Sequence, residues 1–155
     1  RTVVGPMLDG PNADRVTSWV DAAISAGARV LLRGDRAGNV LAPIILADVP
    51  HGAKVWAEEV FGPVLVVEPY DTFESALDVV NDSRYGLQAG VFTHDLRRVW
   101  QAFERLEVGG VIANDYPTFR VDNYPYGGVK DSGFGREGVR YAMEEMSELR
   151  TLVLA

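Results

Sequence analysis

The sequence predicts an α/β protein with an open parallel sheet covered by helices on both faces. Between residues 63 and 114, apolar runs of strand length alternate with amphipathic stretches of helix length. Such alternation implies right-handed crossovers between parallel strands. The 155 residues are 47% hydrophobic and 24% charged, the balance of one globular domain with a sizeable core. No internal repeat or linker divides the sequence.

The first half predicts one helix and two strands. The helix covers residues 12–26, and its apolar residues recur at helical spacing on one face: Val16, Trp19, Val20, Ala23 and Ile24. Gly27 fits the position just after the helix, where glycine often ends it. Residues 29–34 predict a strand, and residues 41–49 predict a second one, in which Pro43 favours an edge position or an extended loop.

The second half is more regular. Strands are predicted over residues 63–70, 87–93 and 108–114, because each is a short apolar run. Helices are predicted over residues 72–83 and 95–106, where apolar residues recur every three or four positions.

Polar residues near the start of each helix predict its N-cap. Asn12 or Asp14 can cap the first helix. Asp71 followed by Glu74 resembles a capping box with Asp in place of Ser or Thr, and Thr93 can cap the third helix.

Composition excludes several classes of function. The net charge of -7 opposes binding to nucleic acid. There is no cysteine, so the chain holds no disulfide, no thiolate metal ligand and no cysteine nucleophile, and His51 and His94 make a poor zinc set. No apolar stretch reaches the length of a membrane span and no signal peptide is recognisable, so we expect no membrane contact and a cytoplasmic location.

The longest predicted loop, residues 114–136, leaves the carboxyl end of the third regular strand. Ligands bind at the carboxyl ends of strands in open parallel sheets, so this loop is the expected site. Arg120 can bind a carboxylate or phosphate, and four aromatic residues could line a pocket: Tyr116, Phe119, Tyr124 and Tyr126. In the structural alternative, the aromatics anchor the loop onto the core and Arg120 pairs with Asp122 or Asp115.

The loop runs into GFGREG, residues 133–138, which has the glycine spacing of dinucleotide-binding turns. That motif needs a preceding strand and, about 20 residues later, an acidic residue within a βαβ unit. Here a stretch rich in Gly, Pro and Asp precedes it, and the sequence stops at Ala155. We therefore expect positive φ or close backbone approach at the glycines of this region: Gly127, Gly128, Gly133 and Gly135.

A second candidate segment, WAEEVFGPV at residues 56–64, precedes a strand. Its adjacent carboxylates, Glu58 and Glu59, could do acid and base chemistry, although neighbours in sequence seldom face one reacting atom. The alternative is an acidic helix end with Phe61 buried in the core. Because the segment lies at the amino end of its strand, a ligand here would lie outside the usual crevice, for instance against another domain.

Three motifs closely resemble the C-terminal half of NAD(P)-dependent aldehyde dehydrogenases: EEVFGPV at residues 58–64, NDSRYGLQAGVFTHD at residues 81–95 and PYGGVKDSGFGREG at residues 125–138. The opening stretch VGPMLDGPNADRVTSWVDAAISAGARVLLRG is similar to the part of the family sequence before them. The resemblance covers essentially the whole chain. It implies the α/β fold of the family's catalytic domain.

The resemblance also implies that the chain is a fragment of an oxidoreductase. An N-terminal cofactor-binding domain, a catalytic cysteine, a glutamate general base and an oxyanion-stabilising asparagine would lie upstream of Arg1, so no catalytic residue is expected in this chain. In the full enzyme the cysteine forms a thiohemiacetal with the aldehyde, hydride passes to NAD or NADP, and a glutamate-activated water hydrolyses the thioester. The alternative is a noncatalytic assembly or interaction protein that retains the fold.

The resemblance assigns roles to particular residues. Glu59 matches the family glutamate that hydrogen-bonds the nicotinamide ribose, and Phe61 matches the aromatic beside the nicotinamide. Arg120 and Tyr126 match positions around the substrate tunnel. Residues 114–130 are most similar to members acting on small polar aldehydes, of the lactaldehyde, glyceraldehyde-phosphate or phosphonoacetaldehyde sort.

Two parts of the chain follow from the resemblance. Residues 1–146 would form part of the catalytic domain. Residues 147–155 look like the family's C-terminal strand, which adds to a sheet of a neighbouring subunit. A homo-oligomer is therefore expected, because the apolar edge of such a strand would otherwise be left open.

Overall fold

The computed structural model describes residues 4–154, and the chain divides into two compact units, Arg1–Pro69 and Tyr70–Ala155. Each unit has its own buried core. The sequence predicts one domain, whereas the structure has these two units. The assignment of residues 1–146 to a catalytic domain stays a prediction.

Helix α1, Gly10–Ser25, opens the first unit and buries the predicted face through Val16, Val20 and Ala23. Its N-cap is Asp9, whose side chain accepts from the backbone N–H of Asn12, so the prediction of Asn12 or Asp14 as the cap is wrong. The helix begins earlier because Pro11 fits its first turn, where no backbone donor is needed.

Gly27 ends α1 as predicted. Its φ of 108° is in a region that favours glycine. The N–H of Gly27 donates to the carbonyl of Ile24, and the N–H of Ala28 donates to that of Ala23, which is the paired hydrogen bonding of a Schellman motif.

The sheet of the first unit has the order β1–β4–β5, formed by Arg29–Arg33, Ile44–Ala47 and Val64–Val67. β1 runs antiparallel to β4, and β4 runs parallel to β5. Between β1 and β4 in the chain, two short strands, β2 (Arg36–Ala37) and β3 (Val40–Leu41), form a separate hairpin. The edge position predicted from Pro43 is wrong: β4 is the central strand, and Pro43 precedes its ladder, so no ladder donor is lost.

The core of the first unit lies between α1, the sheet and the short helix α2, Lys54–Ala57. Val16, Val20 and Leu46 are its fully buried larger side chains. Val20 and Leu46 cluster with Ala23, Ala28, Ile44, Val49 and Val55. Val16 belongs to a second cluster with Ala13 and Leu41.

Between residues 70 and 154, the second unit contains two strand pairs and three helices. β7 and β8, Gln88–Val91 and Gly110–Ala113, are parallel. Two-residue strands β6 and β9, Tyr85–Gly86 and Val129–Lys130, are antiparallel. The helices are α3 (Phe73–Asn81), α4 (Leu96–Arg105) and α5 (Val139–Glu145). The core of this unit is formed by Leu77, Val91, Ala102 and Leu106.

Neither predicted cap in the second unit is the one used. Thr72 caps α3 and forms a capping box with Ser75, in place of Asp71 and Glu74. Asp95 caps α4 by accepting from the N–H of Arg97, while the hydroxyl of the predicted cap, Thr93, accepts from the N–H of Asp95. In both cases a neighbouring polar side chain does the capping.

The α/β class is confirmed, but the described residues form four small sheets of mixed direction, and a single open parallel sheet is not found among them. The connections explain the directions. A helix intervenes between β4 and β5 and between β7 and β8, which allows parallel pairing, whereas a short hairpin returns the chain from β1 to β4 in the opposite direction.

The last residues carry no helix or strand between 148 and 154, and their apolar side chains are exposed: Leu149, Leu152, Val153 and Leu154. A strand requires a partner, so the predicted subunit-pairing role of residues 147–155 stays a prediction; Ala155 lies outside the described residues. Within residues 4–154, no helix combines the length and apolar character that a membrane crossing requires.

We predict that Gly109→Ala destabilises the protein by about 1 to 3 kcal/mol. A Cβ at Gly109 would overlap the carbonyl oxygen of Gly127, and a backbone clash cannot be relieved by a change of rotamer. As a control, Gly52→Ala adds a Cβ in open space and should change stability by less than about 0.5 kcal/mol. Urea unfolding measures both variants, and equal midpoints would contradict the close approach of the two backbones.

Candidate functional site

The turn at residues 58–62 is fixed on both sides of Phe61. Val60 packs against the core of the first unit, and its carbonyl accepts from Arg15 Nη2 at 2.8 Å. Gly62 lies against Val16, because a Cβ at Gly62 would be 2.9 Å from Val16 Cγ2. With its two neighbours held against α1, the backbone has little freedom at Phe61.

Phe61 is turned outward. Its side chain is 73% exposed and its φ is 48°, a left-handed conformation that is rare for a bulky residue. The alternative that buried Phe61 in the core is therefore wrong: Val60 occupies that place. Such backbone strain costs about 1 to 3 kcal/mol and is concentrated at functional sites, so Phe61 is a candidate ligand contact.

Glu59 is exposed, and its carboxylate makes no hydrogen bond or ion pair with the residues between 4 and 154. Glu58 is half-buried and forms the C-cap of α2, so the two carboxylates differ in environment. The helix ends at Ala57, which places both glutamates beyond it. Glu59 thus keeps its full acceptor capacity for a ligand.

The carboxylate of Glu68, just after β5, holds α2, the short helix that leads into this turn. Trp56 Nε1 donates to Glu68 Oε2 at 3.2 Å, and His51 Nε2 lies 2.8 Å from Glu68 Oε1. The rings of His51 and Trp56 stack at 4.0 Å. The hydrogen bonds from His51 and then Trp56 lower the pKa of Glu68. This cluster ties α2 to the sheet.

In the second unit, the loop brings Arg120 and Tyr126 together. The guanidinium carbon lies 4.7 Å from the centroid of the Tyr126 ring, and Arg120 Nη2 donates to Glu137 Oε2 at 2.8 Å. The predicted partners Asp122 and Asp115 are wrong. Glu137 is the partner because its backbone pairs with that of Tyr126, which brings its side chain to the same end of the loop.

The Arg120 guanidinium is half exposed, and its hydrogen bond to Glu137 uses one of five donors. The remaining donors can bind an anion. A cleft of about 280 Å³ adjoins Tyr126 and Glu137 but is not lined by Arg120. Its other charged lining residues are Arg136 and Glu145. The Arg120 guanidinium is thus solvent-accessible beside the Tyr126 ring.

The glycines shape the backbone, as predicted. Gly133 and Gly135 have positive φ, and Gly127 and Gly128 are approached closely by Gly135 and Ser132. The short strand β9 that precedes GFGREG is antiparallel to its partner, so GFGREG does not lie in the βαβ unit that a dinucleotide turn requires.

Three residues that support the candidate sites were not predicted from the sequence. They are Arg15, which holds the Val60 carbonyl, Glu137, which binds Arg120, and Gln88, whose amide contacts the long loop. Of these, Gln88 could have been found from the sequence, because it is a polar residue within an apolar strand.

The predicted site residues lie in different units: Glu59 and Phe61 belong to the first unit, and Arg120 and Tyr126 to the second. Among the described residues, no cluster of three His, Asp or Glu could hold a metal.

Comparison with known proteins identifies one family. The aldehyde dehydrogenase family matches residues 1–152. The 3-sulfolactaldehyde dehydrogenase of Priestia aryabhattai is 48% identical over 154 residues, which cover 99% of this chain and 32% of that protein. The chain therefore spans about a third of the length of the curated relatives that it matches.

Solved structures agree with this. Aldehyde dehydrogenase 21 from Physcomitrella patens, in complex with the reaction product succinate, superposes with a TM-score of 0.90 at 47% identity over 94% of this chain and 30% of that one. Glyceraldehyde-3-phosphate dehydrogenase from Methanocaldococcus jannaschii, complexed with NADP, gives 0.89 at 42% identity over 95% and 32%.

We predict that the Phe61→Gly variant is more stable than the Phe61→Ala variant by about 1 to 2 kcal/mol, because alanine keeps the left-handed strain and glycine does not. The comparison of Phe61→Gly with Phe61→Ala cancels the loss of the exposed ring. At Leu65, an exposed position in β5, the order should reverse by about 0.5 to 1 kcal/mol. Thermal unfolding of the four variants measures both differences, and alanine being the more stable at both positions would refute the strain.

Proposed function

Because the chain belongs to the aldehyde dehydrogenase family, we propose that it is part of an oxidoreductase that converts a small polar aldehyde to a carboxylic acid with NAD or NADP. The observation that carries this proposal is the strained turn, which presents Phe61 and the unpaired carboxylate of Glu59 to a ligand. Both are the residues that match the cofactor contacts of the family.

We propose that Glu59 accepts hydrogen bonds from the nicotinamide ribose and that Phe61 packs beside the nicotinamide. An ionised carboxylate is a strong acceptor for hydroxyl donors, and the exposed ring offers an apolar face. When bound, the nicotinamide would accept a hydride from the substrate. The chain's own part is to orient the cofactor.

The nucleophile must come from sequence outside these 155 residues, because the chain has no cysteine. The proposed reaction passes through a thiohemiacetal on that cysteine. A noncatalytic assembly or interaction protein that retains the fold is the alternative. The gene decides between them: a cysteine-bearing segment before Arg1 is expected for the enzyme.

We propose that Arg120 and Tyr126 recognise the end of the substrate remote from the aldehyde. A relative at 48% identity is named for 3-sulfolactaldehyde, and the moss enzyme binds succinate, so both have ligands with an anionic group. A guanidinium with free donors over an aromatic ring suits sulfonate, carboxylate or phosphate. Of the small polar aldehydes that the resemblance implies, glyceraldehyde phosphate carries such a group, whereas lactaldehyde does not, so aldehydes of the glyceraldehyde-phosphate sort are the preferred substrates that we propose.

We propose further properties for the whole protein. These are the catalytic-domain fold with an open parallel sheet, which the parallel pairs β4–β5 and β7–β8 support, a cytoplasmic location without nucleic acid or membrane partners, and a homo-oligomer. Residues 147–155 would pair with a neighbouring subunit, which is supported by the exposed apolar side chains at 149–154.

In the full-length protein, we predict that Glu59→Gln weakens cofactor binding by about 1 to 3 kcal/mol, because a neutral amide holds hydroxyl donors less strongly than a carboxylate. Titration calorimetry with NAD and NADP measures the dissociation constant. Glu104→Gln, which neutralises an exposed carboxylate in α4, should leave it unchanged. Unchanged affinity and turnover in Glu59→Gln would remove the proposed role.

We predict that Arg120→Met raises KM for glyceraldehyde 3-phosphate by about 10- to 100-fold, as expected for loss of a charged hydrogen bond, and leaves KM for neutral glyceraldehyde nearly unchanged. Steady-state kinetics on both aldehydes measures the difference. Arg29→Met is the control, because Arg29 is an exposed arginine paired with Asp48. If both aldehydes were affected equally, Arg120 would be a structural residue.

A further inference from the structure

The side chain of Gln88, on β7, connects the parallel strand pair to the long loop. Its Nε2 lies 3.2 Å from the carbonyl oxygen of Phe119 and 3.1 Å from the hydroxyl oxygen of Tyr124. The Tyr124 hydroxyl donates to the same Phe119 carbonyl at 2.8 Å. Three groups thus close a small network around one backbone oxygen.

The orientation of the Gln88 amide follows from these partners. A carbonyl oxygen can only accept, so the group that faces Phe119 must be the amide NH2. Gln88 Oε1 is then turned inward, where it is buried and is the one such side-chain atom in the described residues without a hydrogen-bond partner. An unsatisfied buried oxygen opposes stability, so packing alone does not explain a glutamine here.

The opposite strand makes room for Gln88. Gly110 of β8 is its register partner, and a Cβ at Gly110 would lie 3.3 Å from Gln88 Nε2. A larger residue at this position would press on the amide. The parallel pair therefore fixes the amide in place, on the most regular part of the second unit.

The network reaches Arg120 by two routes. Phe119 is its neighbour in the chain, so holding the Phe119 carbonyl fixes the backbone from which Arg120 extends. The Tyr124 ring meets the ring of Tyr126 edge to face at 6.3 Å, and Tyr126 lies under the Arg120 guanidinium. Residues 114–128 contain no helix or strand, and a loop without such ties would be free to place Arg120 elsewhere.

We propose that Gln88 and Tyr124 are positioning residues that hold Arg120 for the anionic group of the substrate, and so determine the preference for anionic over neutral aldehydes. This inference rests on the role of Arg120 proposed above. Neither side chain is required to touch the substrate.

Two variants of the full-length protein test this with little change of shape. Gln88→Glu replaces the donor by a carboxylate that cannot donate at neutral pH, and Tyr124→Phe removes one hydroxyl. Each should raise KM for glyceraldehyde 3-phosphate about tenfold, with kcat and KM for glyceraldehyde changed less than about twofold. Gln101→Glu is the matched control, since Gln101 also donates from Nε2, but to Glu74 of α3.

Hydrogen exchange provides a readout that does not depend on activity. In Gln88→Glu, amides of residues 114–126 should exchange faster, while those of β7 and β8 keep the wild-type rate. Selective KM effects together with local loosening of the loop support the proposal. Unchanged loop exchange, or KM effects equal for both aldehydes, would overturn it.

Arg120→Met separates this inference from the proposed function. If Arg120→Met raises KM only for the anionic aldehyde and the Gln88 and Tyr124 variants do not, the role of Arg120 stands and the positioning network is wrong. If Arg120→Met itself shows no selectivity, the role of Arg120 fails and the inference fails with it.

Discussion

The geometry of the first candidate site depends on one hydrogen bond, from Arg15 of α1 to the carbonyl of Val60. It joins the helix to a turn 45 residues later, while Gly62 packs on Val16 one residue further along α1. Between these two fixed points the chain passes Phe61 in a left-handed conformation. The ring then faces outward because the inward place is already filled. An exposed aromatic and a free carboxylate at Glu59 are consequences of how α1 packs.

Much of the fold could be predicted from the sequence, because long periodic segments are governed by burial. The predicted face of α1 is buried, and β7, α4 and β8 lie within their predicted ranges. Helix caps were less predictable. Several oxygen-bearing side chains stand close together before each helix, and their capping energies differ by less than about 1 kcal/mol, so the local backbone decides which one is used.

The remaining differences arise from information that is not local. A hydrophobic pattern does not specify strand direction, and a hairpin at residues 36–41 turned one predicted parallel neighbour into an antiparallel one. Phe61 could not be distinguished from a core residue by composition, since Val60 is an equally good candidate. Arg120 binds Glu137, beyond the nearer aspartates, because the backbone pairing of Tyr126 with Glu137 closes the loop.

Two local violations of folding rules lie beside the two candidate sites. In the first unit a bulky residue occupies a left-handed conformation with its side chain in solvent, and in the second a buried amide oxygen has no partner. The buried cores are apolar, and α1, α3 and α4 have side-chain caps. Left-handed φ also occurs at Asp48, Asn114 and Lys130, so backbone strain is not confined to the candidate sites. Natural sequences depart from local folding rules mainly where function requires it. The two departures occur in separate units, at the turn that carries Glu59 and at the base of the loop that carries Arg120. In the proposed function, the first of these units orients the cofactor and the second selects the aldehyde.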